Sequence, residues 1–173
     1  MSLKEYNQLK EVFSKVSIAS DVEGILHWDM STMMPSNSRQ NRANQLAFIA
    51  NLKHSLLSDP NVTELISNID ISQLSKNDIT NFKEMQREYV LLSSLPSDLV
   101  EAISKTSALC EGKWQEAKKN CDFSIVKNSL NELINLSRQE SEVLSEKLNC
   151  SPYEALIQKY EPYSNADHIT KVF

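Results

Sequence analysis

Apolar side chains recur every three or four residues along most of this chain, the spacing of an α-helix with one buried face. From residue 3 to about 30 the series is Leu3, Tyr6, Leu9, Phe13, Val16, Ala19, Val22 and Leu26. Gly24 is the one glycine in that stretch and is read as a bend or a close helix contact. Residues 31–38 break the period and read as a loop. A second helix is expected over about 38–57, with Ala43, Leu46, Ala47, Ile49, Ala50, Leu56 and Leu57 facing inward. Asp59-Pro60 then supplies a cap and a proline for the first helical position, opening a short helix that carries Val62, Leu65, Ile66 and Ile69.

Ser75 can cap the next helix, with Asp78 at capping-box spacing and Ile79, Phe82, Met85, Tyr89 and Leu92 on its apolar face. Leu95-Pro96-Ser97 interrupts the pattern. A helix over about 97–119 follows, carrying Leu99, Ile103, Cys110, Trp114 and Ala117 inward. Asp122 caps a long helix over about 123–148, whose face includes Val126, Leu130, Leu133, Ile134, Val143, Leu144 and Leu148. Ser151-Pro152-Tyr153-Glu154 combines a capping box with a proline at the first helical position, and Glu161-Pro162 ends that short helix. Ser164 to Asp167 is a further start signal. Ile169, Val172 and Phe173 then begin an apolar face that stops after barely two turns. A helix so short is marginal alone. The local chemistry therefore suggests a parent chain that continues, and the alternative is a short tail helix docked on the body. No period-two alternation and no internal repeat is present. The expected fold class is all-α, a multi-helix array of about seven to eight helices in a single helical domain over residues 1–173.

Composition sharpens this. Only 2 of 173 residues are glycine, and tight β-turns, dinucleotide loops and P-loops all consume glycine. A net charge of −5 gives no electrostatic footprint for nucleic acid or an anionic membrane. No run approaches the roughly 18 apolar residues of a membrane span. The three cysteines, Cys110, Cys121 and Cys150, are odd in number and lack CxxC spacing. They read as reduced thiols of a cytoplasmic protein.

Catalytic chemistry is sparse. There is no HExxH, and His27, His54 and His168 lie far apart in sequence, so no metal-ligand set is legible and no catalytic residue is named. One stretch is dense in chemistry: His27-Trp28-Asp29, then Thr32, Met34-Pro35 and Arg42-Ala43. Asp29 lies near the loop and Arg42 in the first turns of the following helix, where a bidentate pair would pin the turn. Asp29 either holds that turn or faces a substrate groove. Trp28 and Trp114 are read as core anchors rather than ligand platforms, because a tryptophan can bury up to ~250 Å².

The same residues carry a resemblance. His27-Trp28-Asp29-x-x-Thr32-x-Met34-Pro35 followed by Arg42-Ala43-x-Gln45-Leu46-Ala47 resembles the N-terminal segment of the carboxypeptidase Taq family of zinc metallocarboxypeptidases. In the same order, Leu95-Pro96-x-x-Leu99-Val100, Trp114-x-x-Ala117-Lys118-x-x-x-Asp122-Phe123, and Tyr153-x-Ala155-Leu156 with Tyr160-Glu161-Pro162 resemble further family blocks. Ser38 and Tyr163 stand where the family usually has glycine, Lys118 replaces arginine, and Glu154 and Gln158 replace aspartate.

The resemblance implies part of a larger helical metallopeptidase with a deep groove, usually dimeric, that uses zinc to remove C-terminal residues from peptides. The family's HExxH and its later glutamate lie outside the matched blocks, so no zinc ligand carries over. No bound zinc is therefore expected on this chain. The expected role is the N-terminal, groove-walling portion of such an enzyme, with a peptide as the full-length enzyme's substrate, a homo-oligomeric assembly, and neither nucleic acid nor membrane as a partner. The competing reading is a stand-alone, non-catalytic helical interaction module.

Overall fold

Eight α-helices and two single-turn 3-10 helices, with no strand, make up the secondary structure among the described residues, 2–173, of this computed structural model. The all-α expectation holds, at 84% helix. The chain forms two compact units, the first ending at Ser93 and the second spanning Ser94–Phe173.

The first unit holds α1 (Ser2–Thr32), α2 (Arg39–Leu57), α3 (Pro60–Asn68) and α4 (Lys76–Ser93). Its core is the stripe read from sequence: Tyr6, Leu9, Phe13 and Val16 of α1 pack with Leu57, Val62, Leu65, Phe82 and Met85. Leu3 and Val22 of the α1 stripe are exposed instead. Buried Tyr6 satisfies its hydroxyl by accepting from Asn81 Nδ2 at 3.0 Å, and burial pushes its pKa up. Asp59 caps α3 by accepting from the Asn61 N–H at 2.9 Å. Ser75 caps α4, exchanging hydrogen bonds with the Asp78 N–H and carboxylate.

Two expectations in this unit are corrected. Residues 31–38 are not one loop. Helix α1 continues through Thr32, a 3-10 turn occupies Ser36–Ser38, and the irregular backbone is confined between them. Pro35 lacks an N–H and biases Met34 away from helical geometry, so the break falls there. Gly24 marks no close contact. It lies inside α1, and a Cβ placed on it would meet nothing within 4 Å.

The second unit holds α5 (Ser97–Asn120), α6 (Ser124–Leu148), α7 (Pro152–Ile157) and α8 (Ala166–Val172). Helices α5 and α6 pack as a hairpin around Cys110, Ala117 and Val126. The turn between them follows from its residues. Cys121 adopts the left-handed conformation, φ 52°, and its N–H bonds back to the carbonyls of Ala117 and Lys118. Asp122 then accepts from the Ser124 N–H at 2.9 Å, and this pair of contacts with Ser124 holds its pKa down. Ile134, expected inward, is exposed. Lys159, in the turn after α7, donates to the buried Glu140 carboxylate of α6 at 2.6 Å and ties that turn to α6. Ser151 and Glu154 form the full capping box at the start of α7. The start of α8 is capped by Asn165, which accepts from the His168 N–H at 2.8 Å, and not by Ser164. Asn165 has extended backbone directly before the first helical residue, which is where a cap must sit.

Candidate functional site

The dense stretch of the first unit closes on Arg42. Its Nη2 donates to the Asp29 carboxylate at 2.6 Å, its Nη1 donates to the Leu26 carbonyl, and its Nε donates to Gln45 at 2.8 Å. Three different nitrogens are thereby engaged, which a lysine could not reproduce. Asp29 also takes both the Met33 and Met34 N–H groups on its backbone carbonyl, each at 2.9 Å. Thr32 donates its hydroxyl to the Trp28 carbonyl at 2.7 Å. Nearer the start of α1, Glu23 pairs with Lys53 of α2. The Arg42 contacts to Asp29 and Leu26 and the Lys53–Glu23 pair join α1 to α2, while Thr32 and the Asp29 carbonyl close the exit of α1 itself. Asp29 and Arg42 thus meet as a pair that holds the helix exit.

The tryptophans go elsewhere. Trp28 is 63% exposed and Trp114 is 51% exposed, so neither anchors the core. Helical spacing placed Trp114 with Cys110 and Ala117, but the groove between α5 and α6 is open on that side. Its indole lies along the groove wall instead, with Lys118 Nζ 5.2 Å from the ring centroid.

That groove has a volume of about 740 Å³ and is lined mainly by carbon: Cys110, Trp114, Ala117, Phe123, Val126 and Leu133 among others. The lining also includes the polar residues Ser107, Glu111, Lys118 and Asp122. The stretch from Trp114 to Phe123 therefore both builds the α5–α6 turn and walls the groove. Periodicity could not show this, since it ranks each residue as buried or exposed on one helix and is blind to a space between two.

The described residues do not fit a catalytic metal. Among them no group of three or more His, Cys, Asp or Glu side chains converges as a metal site. His54 lies beside the Ser58 hydroxyl, 3.3 Å away, and His168 is tied through its backbone to Asn165. A catalytic zinc takes three protein ligands at one point.

The helical arrangement is that of solved metallocarboxypeptidases. The BsuCP crystal structure superposes with a TM-score of 0.87 at 20% identity, over 98% of this chain and 34% of that one. Trypanosoma cruzi metallocarboxypeptidase 1 superposes with a TM-score of 0.80 at 28% identity, over 99% of this chain and 34% of that one. Thermostable carboxypeptidase 1 of Thermus thermophilus is 25% identical over 180 residues, covering 97% of this chain and 35% of the relative. The chain belongs to the carboxypeptidase Taq (M32) metallopeptidase family, whose family model matches residues 8–173. It corresponds to the N-terminal region of that fold and spans about a third of the length of the curated relatives it matches. No described helix is long and apolar enough to cross a membrane.

Proposed function

We propose that these helices form the N-terminal, groove-walling portion of a zinc-dependent metallocarboxypeptidase that removes C-terminal residues from peptides. The observation that carries this reading is the family match over residues 8–173 combined with coverage of only a third of the relatives' length. The missing convergence of metal ligands supports the second half of it: the zinc ligands and the general base belong to the other two-thirds of the fold. When bound there, zinc polarises the scissile carbonyl and activates water. This chain's own residues supply walls, and the Asp29–Arg42 pair keeps the α1–α2 wall in register. A cytoplasmic, homo-oligomeric enzyme completes the reading, supported by three free thiols and by exposed apolar side chains.

The test is a graft in which residues 1–173 replace the corresponding third of the Thermus thermophilus relative. Chelator-sensitive release of C-terminal amino acids from peptides by the graft, and none by the 173 residues alone, is expected. A folded graft without activity, or chelator-sensitive release by the isolated chain, would overturn the proposal.

A further inference from the structure

We infer that residues 163–166 are a strap closed by a two-point latch, Glu154 and Gln158, and that the strap opens together with α8 while the α5–α6 hairpin stays folded. The latch lies in where two side chains of one short helix spend their polar atoms. Glu154 of α7 and Gln158 at its C-cap are spaced i, i+4, so they share a face. Gln158 accepts from the Tyr163 N–H at 2.9 Å and donates to the Ser164 carbonyl at 2.6 Å. Glu154 accepts from the Ala166 N–H at 3.4 Å on one oxygen. Its other oxygen takes the Ser151 hydroxyl at 2.8 Å and the Ser151 N–H at 3.3 Å. One carboxylate thus serves the starts of both α7 and α8.

The closed strap carries two costs. Tyr163 sits at φ 65°, a left-handed conformation that crowds any residue with a Cβ. The Ser164 hydroxyl is enclosed with no hydrogen-bond partner, and so forfeits hydration that the open strap would restore. Little apolar burial offsets these costs. Helix α8 is seven residues long and buries no side chain, and Val172 and Phe173 are exposed. A helix so short does not hold itself. Its docking is therefore polar, carried by the hydrogen bonds from Glu154 and Gln158. The hairpin is held differently, with Val126 and Leu144 of α6 buried. A segment with few buried apolar contacts opens locally, at a free energy below that of the core. Opening redirects the chain beyond Pro162 and leaves the hairpin as it is.

Amide hydrogen exchange read by NMR on the 173-residue chain at neutral pH tests this. The amides of Thr170–Phe173 report on α8 and the amide of Leu144 on the hairpin. In the unmodified chain the α8 amides should be protected, and far less than Leu144. Glu154→Gln supplies a single acceptor oxygen and cannot serve both helix starts. Gln158→Ala removes the other point of the latch. Each should lower α8 protection about tenfold and leave Leu144 unchanged. Tyr163→Gly removes the left-handed cost and should raise α8 protection about two- to fivefold, a gain that no merely damaged fold would give.

Unprotected α8 amides in the unmodified chain would show that the strap is not closed and overturn the inference. Unchanged α8 protection in both latch variants would assign the docking to other contacts and overturn it. So would a fall at Leu144 in step with α8, which would make the strap part of the global unit. Lower α8 protection in Tyr163→Gly would remove the stored cost and with it the reason for opening.

Discussion

Arg42 shows how one side chain can close a junction. Removing its carboxylate partner leaves a guanidinium that is largely buried and still held by Leu26 and Gln45, so the loss is that of a charge-assisted hydrogen bond, discounted because Asp29 is about a third exposed. Asp29→Ala should cost about 1–2 kcal/mol, read as a lower urea midpoint at unchanged slope, and an unchanged midpoint would show the pair to be incidental. A second residue-scale device sits at Gln158 and Tyr163, two positions read in the sequence as departures from the resembled pattern. Tyr163 occupies the left-handed region at φ 65°, where glycine is at ease. Gln158 accepts from the Tyr163 N–H at 2.9 Å and donates to the Ser164 carbonyl at 2.6 Å, a two-sided clamp that an aspartate could not make for want of a donor. Tyr163→Gly should stabilise by about 0.5–1 kcal/mol, the left-handed penalty less the added freedom of the unfolded glycine. Gln158→Ala should destabilise by about 1–2 kcal/mol, and by less once Tyr163 is glycine. Strict additivity in that double-mutant cycle would show that the two departures are unrelated.

At the scale of elements, the helix starts were the most legible part of the chain. Asp59-Pro60, Ser75 with Asp78, and Ser151-Pro152 with Glu154 each put a side-chain oxygen on an orphan N–H, a local event that needs no tertiary knowledge. The starts that were misread are those where neighbours compete: Asn165 took the role assigned to Ser164, and α1 ran two residues beyond its expected end before Pro35 broke it. Which positions of an apolar face are covered depends on where a partner helix lies, which periodicity does not carry, and Leu3, Val22 and Ile134 are exposed for that reason. The α7 capping box carries a pH signature. Hydrogen bonds from the Ser151 hydroxyl, then the Ser151 N–H and the Ala166 N–H, hold the Glu154 pKa below its ordinary 4.5. A carboxylate depressed in the folded state adds stability that is fully present above its unfolded pKa and lost as pH falls through the folded one. The urea midpoint should therefore fall below pH 4.5 partly through Glu154, and Glu154→Gln should flatten that fall. An identical pH profile in the variant would show that the box does not contribute.

For the whole molecule, four ordered sequence blocks were enough to read the family, and the structure explains why they look as they do. The blocks around Asp29 and around Trp114 build helix junctions, and the tryptophan of each stands at the surface rather than in a core. What no sequence pattern could show is the groove between α5 and α6, which exists only once two helices are placed together. A catalytic centre is equally illegible here, for a physical reason: the ligand chemistry is not assembled among these residues. In the proposed function, metal binding belongs to the fold as a whole and not to this third of it. Zinc per chain, measured by atomic absorption after dialysis, tests this most directly when read on the 173-residue chain beside the graft. About one zinc per grafted chain and far less than one on the 173 residues alone is the expected result. Stoichiometric zinc retained by the 173 residues would contradict it.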